Sequence, residues 1–461
     1  MAVRLFDSLS RQLLPLSPFR PGPFRMYCCG PTVYGPAHIG NFRTFIVQDV
    51  LRRTLEVTGT PVRHVRNITD VDDKTIRQSV AEGRTLAEFT AAWTERFHQD
   101  GAALGLLPPT VEPGAVGHLP QQIAMIEKLV ASGHAYVSRT GSVYFKVASF
   151  PAYGKLSRLA ERQVQEGASG AASVVEAEDR DEYERETAAD FALWKARKPE
   201  DGPNFWESPW GPGRPGWHIE CSAMATEYLG TEIDLHSGGI DLIFPHHENE
   251  IAQSECATGE TFVRHWFHVA HLTVDRQKMS KSLGNLYTLD DVVARGFQPQ
   301  ELRYVLLSGH YRKPLNFTWD SLAAARSALG QIRAVAHRLA AQPRGEPVTD
   351  WGRLEGAKAA LEDDLNTPKA LGEMFTVLGQ LDGEDRPGLE ALLYALGVDP
   401  GEEATSTVAV PTEIEELAEA RQRAREAKNW AESDRLRDEL LARGWRVLDG
   451  KGSYTLEPRS R

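Results

Sequence analysis

Apolar and polar positions in the first third of the chain switch between the period of a strand and the period of a helix. Residues 25–29 form a short strand-like run that ends at a Gly-Pro pair. Apolar residues then recur at helical spacing over 39–55, and Gly59 ends the pattern. Residues 62–68 alternate like a second strand. Strand, helix and strand predict a parallel crossover unit, and therefore an α/β fold with a doubly wound parallel sheet of the Rossmann type.

The pattern becomes polar between residues 160 and 190, where Gly, Ala and Ser give way to acidic residues. This stretch predicts an insertion with mobile loops. Strand and helix signals return over 217–257 and 265–274. Beyond residue 318 the chain is rich in Ala, Leu, Arg and Glu, which predicts a helical bundle, and a Pro/Thr/Ser-containing linker is expected at 401–411.

The tail has a pattern of its own, which predicts a small α+β domain. Thr412 and Glu415 are spaced as a capping box that would open a helix, and a second helix should stop at Gly444. A hairpin is predicted after this helix. Its strands are expected at residues 445–448 and 453–456, on either side of Asp449 and Gly450.

Composition then limits the class of protein. The chain has 461 residues, of which 41% are hydrophobic and 25% charged, which is typical of a globular protein with two to four domains. We find no apolar run near the roughly 20 residues that span a bilayer, and no signal-peptide pattern, so a cytoplasmic location is expected. The net charge of −12 argues mildly against a nucleic-acid partner, so RNA binding would need local basic patches.

The segment His38-Ile39-Gly40-Asn41 lies where the first helix is predicted to begin. Free backbone N–H groups and the helix dipole favour an anionic ligand at such a position. Gly40 has no side chain, so a nucleotide could lie close to the backbone, and His38 and Asn41 add hydrogen-bond donors. Taken alone, so short a motif is weak evidence for a nucleotide site.

A second candidate for phosphate binding is the segment 278–284, Lys-Met-Ser-Lys-Ser-Leu-Gly. Lys278 and Lys281 lie three residues apart among small hydroxyl residues. Such a loop can fold over a triphosphate and offset the charge that grows during phosphoryl or adenylyl transfer. An isolated Lys-Ser string would be better interpreted as a solvated surface loop, but the presence of both motifs favours a nucleotide site.

Metal-ligand types occur in three separate parts of the chain. Four cysteines are too few for a disulfide scaffold at this length, so reduced thiols or metal ligation are expected. Cys29, Cys221 and the segment 245–250 (Pro-His-His-Glu-Asn-Glu) supply thiolate, imidazole and carboxylate. These ligands indicate zinc rather than calcium or magnesium.

Spacing alone does not select the ligands. His246 and His247 lie four and three residues before Glu250, so either histidine would share a helix face with that carboxylate. Cys28 and Cys29 point to opposite sides of a strand, so only one of them is expected to ligate. For each residue taken separately, a buried cysteine or a core histidine is the alternative interpretation.

The two phosphate-binding candidates together resemble the paired signatures of class I aminoacyl-tRNA synthetases. Three longer segments, 26–34, 216–222 and 244–250, resemble cysteinyl-tRNA synthetases, and the likeness runs from about residue 3 to the C-terminus. The resemblance implies one Zn2+ per chain, with ligands that match Cys29, Cys221, His246 and Glu250.

An enzyme that ligates L-cysteine to tRNA(Cys) is what this resemblance implies. ATP with Mg2+ is the expected co-substrate and cysteinyl-adenylate the expected intermediate. Zinc would accept the thiolate of cysteine, which serine and alanine cannot imitate, so no editing domain is needed. Four protein ligands usually mark a closed site, so we expect expansion to five ligands, or a loosened Glu250, when substrate arrives. The family expectation is a monomer without a membrane partner.

The same resemblance implies roles for individual residues. The residues implied in catalysis are His38, Asn41, Lys278 and Lys281. Those implied in ATP binding are His38, Gly40, Asn41, Asp241 and Lys281, and those implied in substrate binding are Thr69, Trp217 and Asp241. For Thr69 and Trp217 a plain core or turn role is an equal alternative. Cys28 and Cys256 are interpreted as structural.

The chain departs from the family pattern in two places. Asn41 replaces the final histidine of the first signature, although its amide remains a donor. Residues 167–186 are Ala/Ser-rich and acidic where the family has a tighter basic and apolar pattern.

Six parts of the chain are expected from the pattern and the resemblance together. In chain order they are the first half of a nucleotide-binding catalytic domain (1–120), an inserted connective domain (121–215), the second catalytic half (216–275), a mobile lysine loop with a stem-contact region (276–325), a helical bundle (326–400) and an anticodon-binding domain (411–461).

Two other functions compete with this interpretation. A related cysteine ligase that acts on an amino sugar in low-molecular-weight thiol synthesis shares the zinc and nucleotide motifs, but it resembles a shorter chain. A zinc-stabilised RNA-binding adapter would not need the two-lysine loop.

The tail at 412–456 favours the tRNA reaction, because planar cations and aromatic rings bind unpaired bases. The residues concerned are Arg421, Arg423, Arg425, Lys428, Arg435, Arg437, Trp430 and Trp445, although a salt-bridged helix face is the simpler interpretation of most of these cations.

Overall fold

The computed structural model describes residues 2–159, 190–280, 283–342, 351–399, 411–427, 429–449 and 454–458. They fall into two compact units, Met1–Asp399 and Pro400–Arg461. This division coincides with the predicted linker, although residues 400–410 lie outside the described residues. The finer six-part division remains a prediction.

The elements of the two units are as follows. The strands of the larger unit are β1 (Arg4–Asp7), β2 (Gln12–Pro15), β3 (Phe24–Cys28), β4 (Val62–Arg66), β5 (Ala135–Val137), β6 (Val143–Phe145), β7 (Phe191–Ala196), β8 (Gly213–Pro215), β9 (Leu235–Gly239), β10 (Trp266–Val269), β11 (Leu272–Val274), β12 (Gln277–Lys278) and β13 (Leu315–Phe317). Its α-helices are α1 (Ile39–Val57), α2 (Asp73–Ala81), α3 (Leu86–Ala103), α4 (Leu119–Ala131), α5 (Trp217–Leu229), α6 (His246–Thr258), α7 (Leu289–Ala294), α8 (Pro299–Leu307), α9 (Trp319–Ala340), α10 (Glu355–Glu362), α11 (Thr367–Val377) and α12 (Arg386–Leu396). The smaller unit contains α13 (Thr412–Glu426), α14 (Trp430–Ala442), β14 (Trp445–Asp449) and β15 (Tyr454–Pro458).

The centre of the larger unit is a parallel sheet in the order β10-β9-β3-β4. Cys28 at the end of β3 lies beside Arg66 of β4 on one side and Ser237 of β9 on the other. The chain leaves β3 through α1 to β4 and later returns on the opposite side as β9. The strand order therefore reverses at β3, which confirms the predicted doubly wound sheet and places a crevice between the carboxyl ends of β3 and β9.

Helix α1 covers one face of this sheet. Its buried residues Phe42, Ile46 and Val50 recur every four positions and pack in the same cluster as Cys28. The helix ends just before Gly59, whose φ of +94° non-glycine residues rarely adopt, so the predicted stop is confirmed.

Helices α5 and α6 cover the opposite face. Tyr27 and Cys29 pack there with Cys221 of α5 and Ile251 of α6. Cys28 and Cys29 therefore face opposite sides of the sheet, as the alternation of a strand predicts.

Strand β4 ends at Arg66, two residues earlier than predicted. The reason is that the N–H of Ile68 donates to Pro113 O at 2.9 Å instead of continuing the ladder with β3. Pairing with the segment after β3 then resumes, because the N–H of Thr69 donates to Pro31 O at 3.1 Å and the N–H of Val33 donates to Thr69 O at 3.2 Å. The two segments after the strands are thereby held side by side.

The inserted region contains an antiparallel sheet in the order β5-β6-β7-β8, which packs with α4. Its core includes the fully buried rings of Phe145 and Trp194. Residues 160–189 lie outside the described residues, and with them the acidic stretch 167–186 for which mobile loops are expected.

Helices α9 to α12 lie beyond residue 318, as predicted, and a buried cation on α8 joins this region to α1. Arg303 has no exposed surface. Its guanidinium donates to Asp49 Oδ2 of α1 at 2.6 Å, to Leu396 O of α12 at 2.8 Å and to Leu104 O at 3.0 Å. Burial lowers the pKa of Arg303, and the charge of Asp49 opposes that effect. The helical region is thus fixed to the helix that opens at the crevice.

The smaller unit packs α13 and α14 against the β14–β15 hairpin. The predicted capping box was wrong, because Pro411 occupies the N-cap position and Thr412 is already helical. The stop at Gly444 is confirmed by its φ of +83°. The hairpin is confirmed too, and its ladder extends to the pair Asp449–Tyr454, so Asp449 belongs to the first strand.

Replacing Arg303 with alanine should strongly destabilise the larger unit. The substitution removes one of the two buried cations that pair with Asp49, which then keeps its bond to Arg53. It also leaves the carbonyl groups of Leu104 and Leu396 without the donors of Arg303, and each buried acceptor that loses its partner typically costs about 1–3 kcal/mol. Urea unfolding of the variant measures this loss. The control is Arg20→Ala, since Arg20 is 48% exposed and its ion pair with Glu232 spans 3.7 Å, and such pairs contribute about 1 kcal/mol or less. Equal stability of the two variants would contradict the structural role of Arg303.

Candidate metal centre and nucleotide site

A cluster of polar side chains occupies the crevice where the strand order reverses. Cys29 follows the last residue of β3, and Cys221 lies in the second turn of α5. His246 is the first residue of α6, and Glu250 follows one turn later. The four ligand atoms lie within 4.8 Å of one another, and all four side chains are buried. The structure therefore brings together the four residues to which the resemblance assigned the zinc.

The geometry of the two thiols fits a tetrahedral metal. Their sulfur atoms, in Cys29 and Cys221, lie 3.9 Å apart. A tetrahedral zinc with Zn–S bonds of about 2.3 Å places two sulfurs about 3.8 Å apart. The carboxylate closes the cluster, because Glu250 Oε1 lies 3.8 Å from Cys29 Sγ and 3.0 Å from His246 Nε2.

A second histidine competes for the same place. His247 Nε2 lies 3.4 Å from Cys29 Sγ, and Cys29, His236, His247 and Glu250 form an overlapping set within the same 4.8 Å limit. The tertiary structure thus brings both histidines of the His-His pair to the cluster. Of the two sets, the one with His246 contains both thiols, and the one with His247 lacks Cys221.

Three further histidines surround the cluster, and sequence reasoning missed all of them. His218 Nδ1 lies 2.9 Å from His246 Nδ1, and His268 Nε2 lies 2.8 Å from His247 Nδ1. His236 Nε2 lies 2.9 Å from Glu250 Oε2. Such contacts orient a metal ligand from behind. These histidines come from α5, β9 and β10, and no fixed spacing links them to the cluster, so the sequence offered no signal for them.

Burial sets the charge state of the cluster. It raises the pKa of the Cys29 thiol well above its usual value and lowers the pKa values of His246 and His247 well below theirs. The imidazoles are therefore neutral, as metal ligands must be. A bound cation would reverse the effect on the thiol, because a coordinating thiol is deprotonated outright. The donor set thus fits a zinc ion.

A hydrogen-bonded chain runs from the metal cluster to the segment after β4. The N–H of Gly30 donates to Asn67 Oδ1 at 2.9 Å, and Asn67 Nδ2 donates to Thr69 Oγ1 at 3.1 Å. Thr69 Oγ1 in turn donates to Glu220 Oε2 at 3.0 Å. Gly30 and Glu220 are the neighbours of Cys29 and Cys221, so the chain links both thiols to Thr69. Thr69 is 2% exposed, and its hydroxyl accepts one of these hydrogen bonds and donates one.

Trp217 and Asp241 lie on either side of this region. The Trp217 ring, at the start of α5, lies 4.2 Å from the His246 ring, centroid to centroid. Asp241 follows β9. Burial lowers the pKa of His38, and the nearby charge of Asp241 opposes part of this effect. The structure therefore brings Asp241 and the start of α1 to the same edge of the sheet.

The signature His38-Ile39-Gly40-Asn41 forms the N-terminal cap of α1. His38 Nδ1 accepts from the N–H of Asn41 at 3.2 Å, and Asn41 Oδ1 accepts from the N–H of His38 at 3.1 Å. This reciprocal capping box uses Nδ1 and Oδ1, so the donors left to face a ligand are His38 Nε2 and Asn41 Nδ2. A methyl group on Gly40 would lie 3.1 Å from Met279 Sδ, so the glycine makes room for the lysine segment as well.

The lysine segment is only partly described. Lys278 is the exposed last residue of β12, whereas Lys281 lies outside the described residues. The structure therefore places the first lysine in the fold and leaves the predicted role of the second untested.

Two protein families match the chain. Class I (C) tRNA synthetase catalytic domains match residues 15–327, and cysteinyl-tRNA ligase anticodon-binding domains match residues 407–455. The cysteine–tRNA ligase of Opitutus terrae is 56% identical over 462 residues, with 99% of both chains covered. That of Solibacter usitatus is 45% identical over 473 residues, with 98% of both covered. The chain belongs to the cysteine–tRNA ligase family.

Solved structures show the same fold at low identity. A methionyl-tRNA synthetase of Mycobacterium tuberculosis bound by methionyl-adenylate matches with a TM-score of 0.55 and 14% identity, covering 81% of this chain and 89% of its own. A LeuRS–tRNA–LeuAMS complex of Agrobacterium radiobacter matches with a TM-score of 0.56 and 12% identity, covering 84% and 85%. Together with the catalytic-domain match, this likeness confirms the Rossmann-type fold of class I synthetases.

In the parts of the chain that the structure describes, no helix has the length and apolar character to cross a membrane.

Replacing Gly30 with alanine should disrupt the support of the metal cluster. A Cβ at Gly30 would lie 1.7 Å from Asn67 O. The segment that carries Thr69 would have to move, and overpacking of this kind costs about 1–3 kcal/mol or more. Thermal and urea unfolding measure the loss. Gly35→Ala is the matched control, because nothing lies within 4 Å of its Cβ, and we expect a change within about 0.5 kcal/mol. Wild-type stability of Gly30→Ala would refute the close approach.

Proposed function

We propose that this member of the cysteine–tRNA ligase family joins L-cysteine to tRNA(Cys) and uses ATP as the energy source. The observation that carries the proposal is the buried pair of thiols, with Glu250 and the two histidines, at the switch point of the sheet. The same edge of the sheet presents the N-terminus of α1, where an anionic ligand is favoured. Candidate ligands for a thiol-selecting metal and a candidate site for phosphates thus lie at the same edge of the sheet, which supports the proposal.

Zinc is the proposed resident metal, held by Cys29, Cys221, His246 and Glu250. When bound, it would supply a Lewis acid that lowers the pKa of the substrate thiol and binds its sulfur. Serine and alanine lack a group that binds zinc comparably, so discrimination would rest on a bond that competitors cannot form. His236 holds one oxygen of Glu250 and leaves the other directed at the thiols.

Thr69 is proposed to bind the α-ammonium group of cysteine. Its hydroxyl donates to Glu220 and accepts from Asn67 through one lone pair of the oxygen. The second lone pair could accept from the ammonium group of the substrate. Burial, with the charges of Asp72 and Asp70, raises the pKa of Glu220 well above its usual value. A substrate ammonium nearby would favour the charged form of Glu220 and strengthen this arrangement. Trp217 and Asp241 are proposed to complete the substrate contacts.

The reaction is proposed to proceed in two steps. An oxygen of the cysteine carboxylate attacks the α-phosphorus of ATP, the bond to the β-phosphate oxygen breaks, and pyrophosphate leaves. His38 Nε2, Asn41 Nδ2 and the backbone beside Gly40, together with Lys278 and Lys281, would stabilise the charge on the phosphates, with ATP bound as its Mg2+ complex. A ribose hydroxyl of the terminal adenosine of tRNA then attacks the adenylate carbonyl, and AMP leaves. The resemblance to class I synthetases implies that the attacking group is the 2′-hydroxyl.

The smaller unit is proposed to read the tRNA anticodon, which accords with its match to anticodon-binding domains. Trp430 is 58% exposed and is available for base stacking, but Trp445 is buried in the core of the unit, so that part of the expectation was wrong. Arg421 is buried too, which removes it from the exposed candidates. Arg435 pairs with Glu432 and Glu439, as the simpler salt-bridge interpretation predicts. Lys428 lies outside the described residues.

A cytoplasmic monomer is the proposed working form, because the family expectation is a single chain and buried reduced thiols suit a reducing compartment. The amino-sugar reaction is not favoured, since its enzymes resemble a shorter chain and residues 407–455 match an anticodon-binding domain.

Replacing Cys29 with alanine should remove both the metal and the activity. Purified wild-type protein should contain zinc and catalyse cysteine-dependent ATP–pyrophosphate exchange. In Cys29→Ala we expect loss of zinc and a fall in exchange activity by more than about 100-fold. Replacing a residue that hydrogen-bonds to a metal ligand usually costs less than this, and Cys29 is itself a proposed ligand. Cys28→Ala is the matched control, because Cys28 is buried on the opposite face of the sheet, and it should keep its zinc and its exchange activity. Normal exchange by a zinc-free Cys29→Ala protein would refute the metal assignment.

Deleting the chain after Val410 should separate the two steps. The larger unit ends at Asp399, so adenylate formation should survive the deletion. Without the smaller unit, the kcat/KM of tRNA(Cys) charging should fall by at least about tenfold, equivalent to about 1.4 kcal/mol. Exchange assays and charging assays on the same preparation measure the two steps. Unchanged charging would remove the proposed anticodon role.

A further inference from the structure

One buried side chain, Asn285, holds the base of the lysine segment. Asn285 is 8% exposed. Its Nδ2 donates to Lys278 O at 3.1 Å, and its Oδ1 accepts from the N–H of Ser280 at 2.8 Å. The amide thus bonds to the backbone on both sides of Met279 and uses its donor and its acceptor at once. An amide side chain supplies both functions, whereas a carboxylate at neutral pH supplies only the acceptor.

The two hydrogen bonds of Asn285 to Lys278 and Ser280, called the clasp below, lie next to contacts with the N-terminus of α1. Two residues beyond Asn285, Tyr287 O accepts from the N–H of Ile39 at 2.8 Å, and Thr288 forms an antiparallel bridge with His38. Met279, between the two clasped residues, reaches Gly40 from the other side. The segment that carries Lys278 is therefore tied to the helix terminus proposed to bind phosphate.

Little else in the described residues fixes the position of Lys278. Strand β12 has two residues and pairs only with β11, in which Thr273 lies opposite Lys278. The turn between these strands has Asp275 and Arg276 at positive φ, 48° and 65°. Glycine, asparagine and aspartate adopt this arrangement of a tight hairpin turn more readily than arginine does. A strand this short would let a lysine at its end vary in position unless a second contact held it.

We propose that Asn285 is a positioning residue for adenylate formation, because it fixes the backbone of Lys278 relative to the phosphate site at the start of α1. The inference rests on the proposed function, in which Lys278 stabilises the charge on ATP. A charge that must act on a transition state contributes most when it is held in place beforehand, and displacement by about 1 Å can cost about 100-fold in rate. Loss of the clasp should therefore lower kcat and leave the KM for cysteine unchanged, because the bonds of Asn285 go to Lys278 and Ser280 and not to the metal cluster.

Two substitutions of Asn285 test this role in the full-length protein. Asn285→Ala removes both bonds, and Asn285→Asp keeps the acceptor for Ser280 but loses the donor for Lys278. In cysteine-dependent ATP–pyrophosphate exchange we expect kcat to fall by at least about tenfold in each, with the KM for cysteine and the zinc content within about twofold of wild type. A merely structural residue would alter melting temperature and zinc content together with kcat. Wild-type kcat in Asn285→Ala, or a fall accompanied by loss of zinc, would overturn the proposal.

A double substitution asks whether Asn285 acts through Lys278. Lys278→Ala alone should lower kcat, and adding Asn285→Ala to it should cost less than about threefold more, because the group being positioned is already absent. Fully additive losses would show that Asn285 acts by another route and would overturn the proposal.

The matched control is Asn316 of β13, whose side chain contacts the hairpin formed by β11 and β12. Asn316 Oδ1 accepts from the N–H of Arg276, in the turn of the hairpin, at 2.5 Å and from Thr273 Oγ1, in β11, at 3.3 Å. It therefore supports the turn and β11, whereas Asn285 holds the backbone of Lys278 and Ser280. Asn316→Ala should keep kcat within about twofold of wild type. A loss as large as that of Asn285→Ala would indicate general loosening of the hairpin and would overturn the role of the clasp. Absence of exchange in the wild-type protein would instead overturn the proposed function and this role with it.

Discussion

The burial of thiols, imidazoles and a carboxylate in a single cluster is the constraint on which the rest of the structure depends. Polar groups removed from water must be paired, and a charged one is costly without a counterion. Around Cys29 and Glu250 the pairing comes from neighbouring histidines, and burial keeps the thiol protonated in the absence of a cation. A divalent metal would take thiolates, a neutral imidazole and a carboxylate as ligands, and for this reason the cluster supports the proposed selection of cysteine by its sulfur.

The scaffold brings the cluster together at one edge of the sheet. Because β3, β4, β9 and β10 are parallel, their carboxyl ends meet at that edge, and the reversal of strand order opens a crevice there. The close approach of Gly30 to Asn67 then locks the segments after β3 and β4 together. Arg303 ties α1 to the helical region through its bonds to Asp49 and Leu396, so the helix that begins at the crevice is also anchored along its length.

The cap of α1 explains how this chain accommodates asparagine in its first signature. Asn41 Oδ1 closes the capping box with the N–H of His38, and this leaves the amide nitrogen as a donor. A histidine at the same position would also have one nitrogen to accept and one to donate. The substitution therefore keeps the hydrogen-bonding capacity of the helix terminus, and it fits the proposed role of this terminus in phosphate binding.

The sequence by itself determined the doubly wound sheet, the course of α1, the helical region and the terminal hairpin, because hydrophobic periodicity and glycine positions reflect local backbone requirements. The resemblance of three segments also named Cys29, Cys221, His246 and Glu250, which the fold brings within 4.8 Å of one another. Boundaries that depend on non-local bonds were wrong, as at Ile68, whose N–H bonds to Pro113. Only the tertiary structure decided that His218, His236 and His268 surround the cluster, that Trp445 is buried, and that Asn285 clasps Lys278. These contacts join residues from separate elements, and the distance along a chain says nothing about which separate elements will pack together.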